Sequence, residues 1–283
     1  MDENLAIQQN GDDQTPVTGR KTIMEQKISE IKNIFQAADF KELPAFINRY
    51  EKDERSGVAA LVKKAQKQLK DYEKECIRTE KMKEYEKKYA EYSFICGIDE
   101  VGRGPLAGPV VAGAVILPKN CDILYLNDSK QLSEKKREEL YDVIMEKAVS
   151  TGLGFVSPER IDEINILQAT YEAMREAIGK LTPEPDLLLN DAVTIPGVKI
   201  RQIPIIKGDT KSISIAAASI IAKVTRDRLM VKYDEIYPEY GFVSNKGYGA
   251  QAHIEALKKY GPTPIHRKSF IKNLIYCSRK ECQ

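Results

Sequence analysis

The chain has 283 residues, with 44 Lys plus Arg against 42 Asp plus Glu and a formal net charge of +2. That length allows one large domain or a domain with an appendage, and so balanced a charge does not by itself announce a polyanionic partner. The five cysteines, Cys76, Cys96, Cys121, Cys277 and Cys282, are odd in number and lack CxxC or Cys/His spacing. A disulfide framework and a zinc knuckle are therefore not expected, and a reducing compartment is. The acidic start has no signal-peptide layout, and no apolar run is long and unbroken enough to span a bilayer. A soluble, cytoplasmic monomer without membrane contact is expected.

Residues 1–21 are polar and almost free of apolar side chains, which predicts a disordered tail. Helical spacing then begins. Ile23, Ile28, Ile31, Ile34 and Phe35 fit one helix face, and Leu43, Phe46, Ile47 and Tyr50 fit a second. From Val58 to Tyr92 runs a charge-dense pattern in which Val62, Ala65, Leu69, Tyr72, Cys76, Thr79, Met82, Tyr85 and Tyr89 step by three and four. The stepping is irregular between Thr79 and Tyr85. A single helix there would be about 50 Å long. It could dock by its apolar stripe, hold nucleic acid by its lysines, or pair as a coiled coil. Residues 22–92 are thus expected as an α-helical extension, and residues 93–283 as a separate domain.

That domain opens on Phe94 to Ile98, an apolar, β-prone run followed by Asp99 and Glu100. The bend Gly102-Arg103-Gly104 comes next, and Val110 to Leu117 returns as a hairpin partner. Ser133 is a predicted N-cap for a helix to about Val149. Gly152 to Val156 reads as a strand, and Ser157 with Pro158 opens a helix that runs to about Leu181. Asp186 to Asp191 is a second apolar strand with an acid at its end. A short strand over Ile200 to Ile206 leads to Lys207-Gly208-Asp209. A helix spans Lys211 to about Tyr237, another ends near Tyr260, and Lys246-Gly247-Tyr248 is a turn. Strands alternating with helices after a hairpin indicate an α/β domain with a mixed sheet.

Asp99, Glu100, Asp191 and Asp209 all fall at strand or loop ends, where ligands of α/β sheets usually sit. Ionised carboxylates withdrawn from water ask for a cation. An all-oxygen set without a Cys or His cluster suits Mg²⁺ or Mn²⁺. Two such ions about 3.5–4 Å apart support phosphodiester hydrolysis. Arg103, Lys130, Lys207, Lys211, Lys246 and Arg267 lie in or beside the same loops and are candidate phosphate donors.

Six blocks in order, Gly97–Pro109, Asn127–Leu132, Lys207–Asp209, Ala216–Arg228, Lys246–Tyr248 and His266–Arg267, resemble bacterial ribonuclease HII over Tyr92 to Phe270. The resemblance implies a ribonuclease-H-like fold. It also implies hydrolysis of RNA in RNA–DNA hybrids and incision at single ribonucleotides embedded in duplex DNA. On that resemblance Asp99, Glu100, Asp191 and Asp209 are the four metal-binding acids. Gly102, Arg103 and Gly104 would read the 2′-hydroxyl through their backbone, and Tyr248 would pack on the neighbouring deoxyribose. The sister enzyme, ribonuclease HIII, typically has lysine within the glycine turn and glutamate as the fourth acid. Arg103 and Asp209 therefore favour HII. Many members have glycine after the third acid, whereas Ala192 follows Asp191 here.

Two rivals stand beside this reading. A metal-free ribonuclease would use His253 and His266 as acid and base, although spacing places His253 on a helix and His266 in an ordering role. A non-catalytic hybrid-binding module would need the basic loops but not the acids.

Overall fold

Residues 26–275 are described in the computed structural model. The tail expected over residues 1–21, together with Ile23, Cys277 and Cys282, lies outside them. The chain divides into two compact units, Met1–Lys74 and Glu75–Gln283.

In the first unit, α1 (Ile28–Ala37), α2 (Leu43–Tyr50) and the start of α3 (Ser56–Lys81) gather around Ile31, Phe35, Leu43, Phe46, Tyr50, Val58, Val62 and Ala65. Most of the expected apolar positions pack there, but Ile28 and Ile34, expected on the same face, are exposed. The helix expected to continue to Tyr92 instead ends at Lys81, and a short α4 (Glu84–Lys88) follows. α3 is therefore about 39 Å long rather than 50 Å. The cause is local. Met82 is buried in the core of the second unit, and its carbonyl accepts from Ile213 N at 3.2 Å instead of continuing the helical ladder.

Five strands of the second unit form one sheet of order β3-β2-β1-β4-β5 among the described residues. They are β1 (Ile95–Val101), β2 (Val110–Ile116), β3 (Ser150–Val156), β4 (Leu187–Asp191) and β5 (Arg201–Ile205). β1 pairs antiparallel with β2 and parallel with β4, so the sheet is mixed as expected. β1 runs on to Val101, so Asp99 and Glu100 lie within the strand rather than just past its end.

Helices cover both faces. α6 (Pro158–Gly179) lays Ala169, Ala173, Met174 and Ala177 on Ile98, Ala112 and Ala114. On the other face α5 (Glu134–Lys147) and α7 (Ile213–Ile236) contribute Leu140, Ile144, Ala216, Ala217, Ile220 and Ile221 around Val115. Alanines let α7 approach closely, and Gly97 completes the fit: a Cβ there would stand 2.0 Å from the Ser214 carbonyl carbon. Ser133 and Ser157 cap α5 and α6, each hydroxyl accepting from a backbone N–H at 3.2 Å. Ser212 does the same for α7 at 3.2 Å.

After α7 come α8 (Phe242–Asn245), α9 (Gln251–Tyr260) and α10 (Lys268–Ile275). They close on Ala107, Met230, Tyr240, Phe242, Leu257 and Ile271. Cys76, Cys96 and Cys121 are free thiols. Among the described residues no helix is long and apolar enough to cross a membrane.

Candidate active site

β1 and β4 lie side by side in parallel, with Ile98 opposite Asn190. The next residue along each strand is an acid, Asp99 on one and Asp191 on the other, so adjacent strand ends deliver two carboxylates together. Asp191 then fixes a third. Its Oδ1 accepts from Gly208 N at 2.8 Å, which draws in the short 3₁₀ turn Gly208–Thr210 and with it Asp209. Glu100 adds the fourth. The four acids, scattered along the chain, feel one another's charge: Asp191 acts on Asp99, Glu100 and Asp209, and Glu100 on Asp99.

Their electrostatics show crowding. Burial pushes the Asp99 carboxyl well above the usual range, and the charges of Glu100 and Asp191 push it further; a Ser219 hydrogen bond opposes them. Glu100 is raised by burial and by Asp191, while the Arg103 guanidinium, 3.3 Å away, pulls it back. Asp209 is pushed up to about 6, by burial first and then by Asp128 and Asp191. Among the described residues no group of three His, Cys, Asp or Glu side chains is placed so that it could hold a metal ion. What the chain supplies is an all-oxygen donor set whose burial and mutual repulsion are relieved by cations, and hard divalent ions fit that chemistry.

Two partners of these acids escaped the sequence reading. Asp128 lies close enough to Asp209 to raise its pKa and accepts from Lys130 N at 2.9 Å. The Ser219 hydroxyl favours the ionised form of Asp99 and meets Ser129 Oγ at 2.9 Å. A lone hydroxyl in the alanine-rich run Ala216–Ala222 was the available signal for Ser219.

The glycine bend is built from beneath. Gly102 has φ +89°, and a Cβ there would come within 2.3 Å of Arg226 Nε. Arg267, expected as a phosphate donor, is instead 0 % exposed. It donates to the carbonyls of Gly102 at 2.6 Å, Arg103 at 3.0 Å and Gly108 at 2.8 Å. Arg226, equally buried, holds the carbonyls of Pro109 and Ala107 at 3.0 Å and of Lys246 at 2.9 Å. In a trans peptide the C=O and the following N–H point opposite ways. Carbonyls turned inward to Arg267 therefore turn the N–H groups of Arg103 and Gly104 outward.

The turn carrying Tyr248 is joined to this bend. Gly247 O accepts from Leu106 N at 2.8 Å, and a Cβ on Gly104 would stand 3.8 Å from the Tyr248 ring. Tyr248 is 42 % exposed, with a face available to a ligand. Lys130 is exposed and feels Asp99, Asp209 and Tyr248. Lys207 and Lys211 are exposed on either side of the Asp209 turn. The Lys246 ammonium is half-buried and committed to Val243 O at 2.6 Å. His253 and His266 are 0 % and 2 % exposed and bonded to each other, which removes them as a solvent-facing acid–base pair. A 480 Å³ cavity lined by Lys83, Glu86, Tyr92, Lys119, Cys121 and Ser214 contains none of the four acids.

A family model described as Ribonuclease HII matches residues 96–273, and one described as Ribonuclease HII N-terminal domain matches residues 27–90. The Ribonuclease HII of Lachnoclostridium phytofermentans is 63% identical over 254 residues, covering 90% of this chain and 100% of that protein. That of Clostridioides difficile is 52% identical over 255 residues, covering 89% and 100%. Among solved structures, the ribonuclease H2 of Pyrococcus horikoshii OT3 superposes with a TM-score of 0.57 at 30% identity, over 66% of this chain and 100% of that one.

Proposed function

The chain belongs to the ribonuclease HII family, and from that footing we propose how its own residues carry out the family's reaction. It is a metal-dependent endoribonuclease that cleaves RNA in RNA–DNA hybrids. Asp99, Glu100, Asp191 and Asp209 hold the metal, as two Mg²⁺ or Mn²⁺ ions. When bound, such ions activate a water and stabilise the leaving oxygen of the phosphodiester. The observation that carries this assignment is the side-by-side pairing of β1 and β4, with Asp191 bonded to Gly208.

Gly102, Arg103 and Gly104 form the ribose reader. Two outward N–H groups in a close-fitting bend suit a 2′-hydroxyl, the group that separates RNA from DNA. Tyr248 packs on the neighbouring sugar, where a flat deoxyribose fits and a second ribose does not. That pairing selects single ribonucleotides within duplex DNA as well as hybrid junctions. Lys130, Lys207, Lys211 and Lys246 face the phosphate backbone, Lys246 once it releases Val243.

Residues 93–283 are the catalytic domain and residues 22–92 a helical extension. The protein acts as a monomer in the cytoplasm; the free thiols of Cys76, Cys96 and Cys121 support a reducing compartment. Arg103 and Asp209 support HII-type over HIII-type selectivity.

The test is cleavage of a duplex carrying one ribonucleotide, with Mg²⁺ and with EDTA. Incision at the ribonucleotide in Mg²⁺ and none in EDTA is expected. Cleavage that survives EDTA would overturn the metal assignment, and binding without any cleavage would favour the hybrid-binding module.

A further inference from the structure

The acids and the glycine bend leave the first unit without a task. Its helix α3 has two contrasting faces. Val58, Val62, Ala65 and Leu69 pack against α1 and α2. On the opposite side Lys63, Lys67, Lys70 and Lys74 follow one another at spacings of four, three and four residues, all exposed. At about 100° per residue the four fall within about 60° of arc, and Asp71 and Glu73 stand on its flanks. Only Lys74 approaches a carboxylate, Asp71 at 4.0 Å; Lys63, Lys67 and Lys70 take no ion pair among the described residues.

Such a row works against its own helix, because like charges three and four residues apart repel. A solvated face built for stability interleaves acids at those spacings. Here only the flanking Asp71 and Glu73 stand at such spacings, and of them only Asp71 meets a lysine of the row, whereas further on Glu75 pairs closely with Arg78. The row is also free of Arg forks and aromatic rings, the groups that read bases or stack on them, so it is suited to bare phosphates. From Lys63 to Lys74 the rise is about 16 Å, and over such a length a duplex displays roughly ten phosphate charges.

We propose that Lys63, Lys67, Lys70 and Lys74 form a sequence-independent backbone-binding surface, a second grip on the hybrid substrate outside the catalytic residues. The proposal rests on the reading of the chain as a hybrid-cleaving enzyme. Since ammonium–phosphate contacts release counterions, the row contributes to affinity in a salt-dependent way and leaves the chemical step alone.

The experiment uses the full chain. Lys63, Lys67, Lys70 and Lys74 are all changed to Gln, and a control carries the same change at Lys27, Lys32, Lys41 and Lys52, which are exposed in the same unit. Binding to an RNA–DNA hybrid is measured in EDTA across salt concentrations, and kcat and KM are measured in Mg²⁺. For the row variant the slope of log K against log salt is expected to fall by about 2–4. Affinity at about 0.1 M salt falls at least tenfold, KM rises in step, kcat is unchanged and the thermal midpoint does not drop. The control shifts each quantity far less. An unchanged slope, or an equal loss in the control, overturns the proposal and would leave the row for an acidic protein partner or for solvent. A wild-type chain that neither binds nor cuts the hybrid would instead sink the enzymatic reading on which the proposal rests.

Discussion

The imidazoles of His253 and His266 meet Nε2 to Nε2 at 3.0 Å, in the middle of a hydrogen-bond chain that ends on Tyr248. Its direction is determined. Thr263 N donates to His266 Nδ1 at 3.0 Å, so a neutral His266 keeps its proton on Nε2 and gives it to His253. His253 is then protonated on Nδ1 and donates to Tyr248 O at 2.8 Å. Burial lowers both pKa values, that of His266 to about 4 with help from His253, which keeps the relay uncharged near neutrality. A depressed folded pKa contributes stability that is present above about 6.5 and is lost as pH falls through about 4.

If the relay holds Tyr248 in place, His253→Leu should mimic Tyr248→Ala, with a loss of about tenfold or more on single-ribonucleotide substrates and much less on uniform hybrids. The two changes should not add, because His253 would act through Tyr248. A double variant whose losses multiply would contradict this coupling and leave His253 a packing residue.

Arg267 offers a second test. Lysine keeps the charge but cannot hold the carbonyls of Gly102, Arg103 and Gly108 together. For Arg267→Lys, the preference for ribose-containing over all-DNA duplex is expected to fall by about tenfold, with all-DNA affinity unchanged. Equal weakening on both duplexes, measured in EDTA, would argue that the guanidinium supports the fold and not the reading of ribose.

Particular residues show what the letters could and could not give. Asp99, Asp191 and Asp209 were legible because each follows a β-prone run or opens a helix, and sheet topology brings such ends together. Ser133 and Ser157 were legible as caps because the hydroxyl acts on its own next turn. Arg267 was misjudged for the converse reason. A guanidinium reads as surface charge until three carbonyls from a segment about 160 residues earlier in the chain are seen around it, and no local pattern encodes that meeting. Asp128 and the His253–His266 pair were hidden in the same way. The end of α3 was marked by irregular stepping between Thr79 and Tyr85, but its cause, the Met82 carbonyl bound to Ile213, is a tertiary contact.

The crowded acids set the third test. The folded pKa of Asp209 is raised to about 6, so its contribution to stability is fully present below about 4 and is lost as pH rises through about 6. Asn carries no charge at any pH. Without metal, Asp209→Asn should therefore melt higher than the wild type at pH 8, with the gap closing towards pH 4. In Mg²⁺ the order should reverse, because the wild type gains more from the cation, and cleavage by the variant should fall by orders of magnitude. Equal melting curves at pH 8, or near-wild-type cleavage, would remove Asp209 from the metal set.

Ala192 gives the last test. It follows Asp191 at φ +57°, in the left-handed region where a Cβ crowds the carbonyl, and its N–H is fixed to Ile205 O at 3.0 Å. A glycine at this point would meet that requirement without strain. An L residue there costs about 1–2 kcal/mol, offset in part by the greater freedom that glycine has in the unfolded chain. Ala192→Gly should therefore stabilise the protein by about 0.5–1 kcal/mol, a rise of roughly 2 °C in Tm for a domain of this size. Ala192→Val, whose branched side chain tolerates this region least, should lower Tm by more than the glycine raises it. Because the glycine variant keeps the backbone path that aims Asp191 at Asp99, its Mg²⁺-dependent rate should stay within about twofold of wild type. A glycine variant that melts lower would mean that the bend after β4 is held by something other than its own dihedral preference.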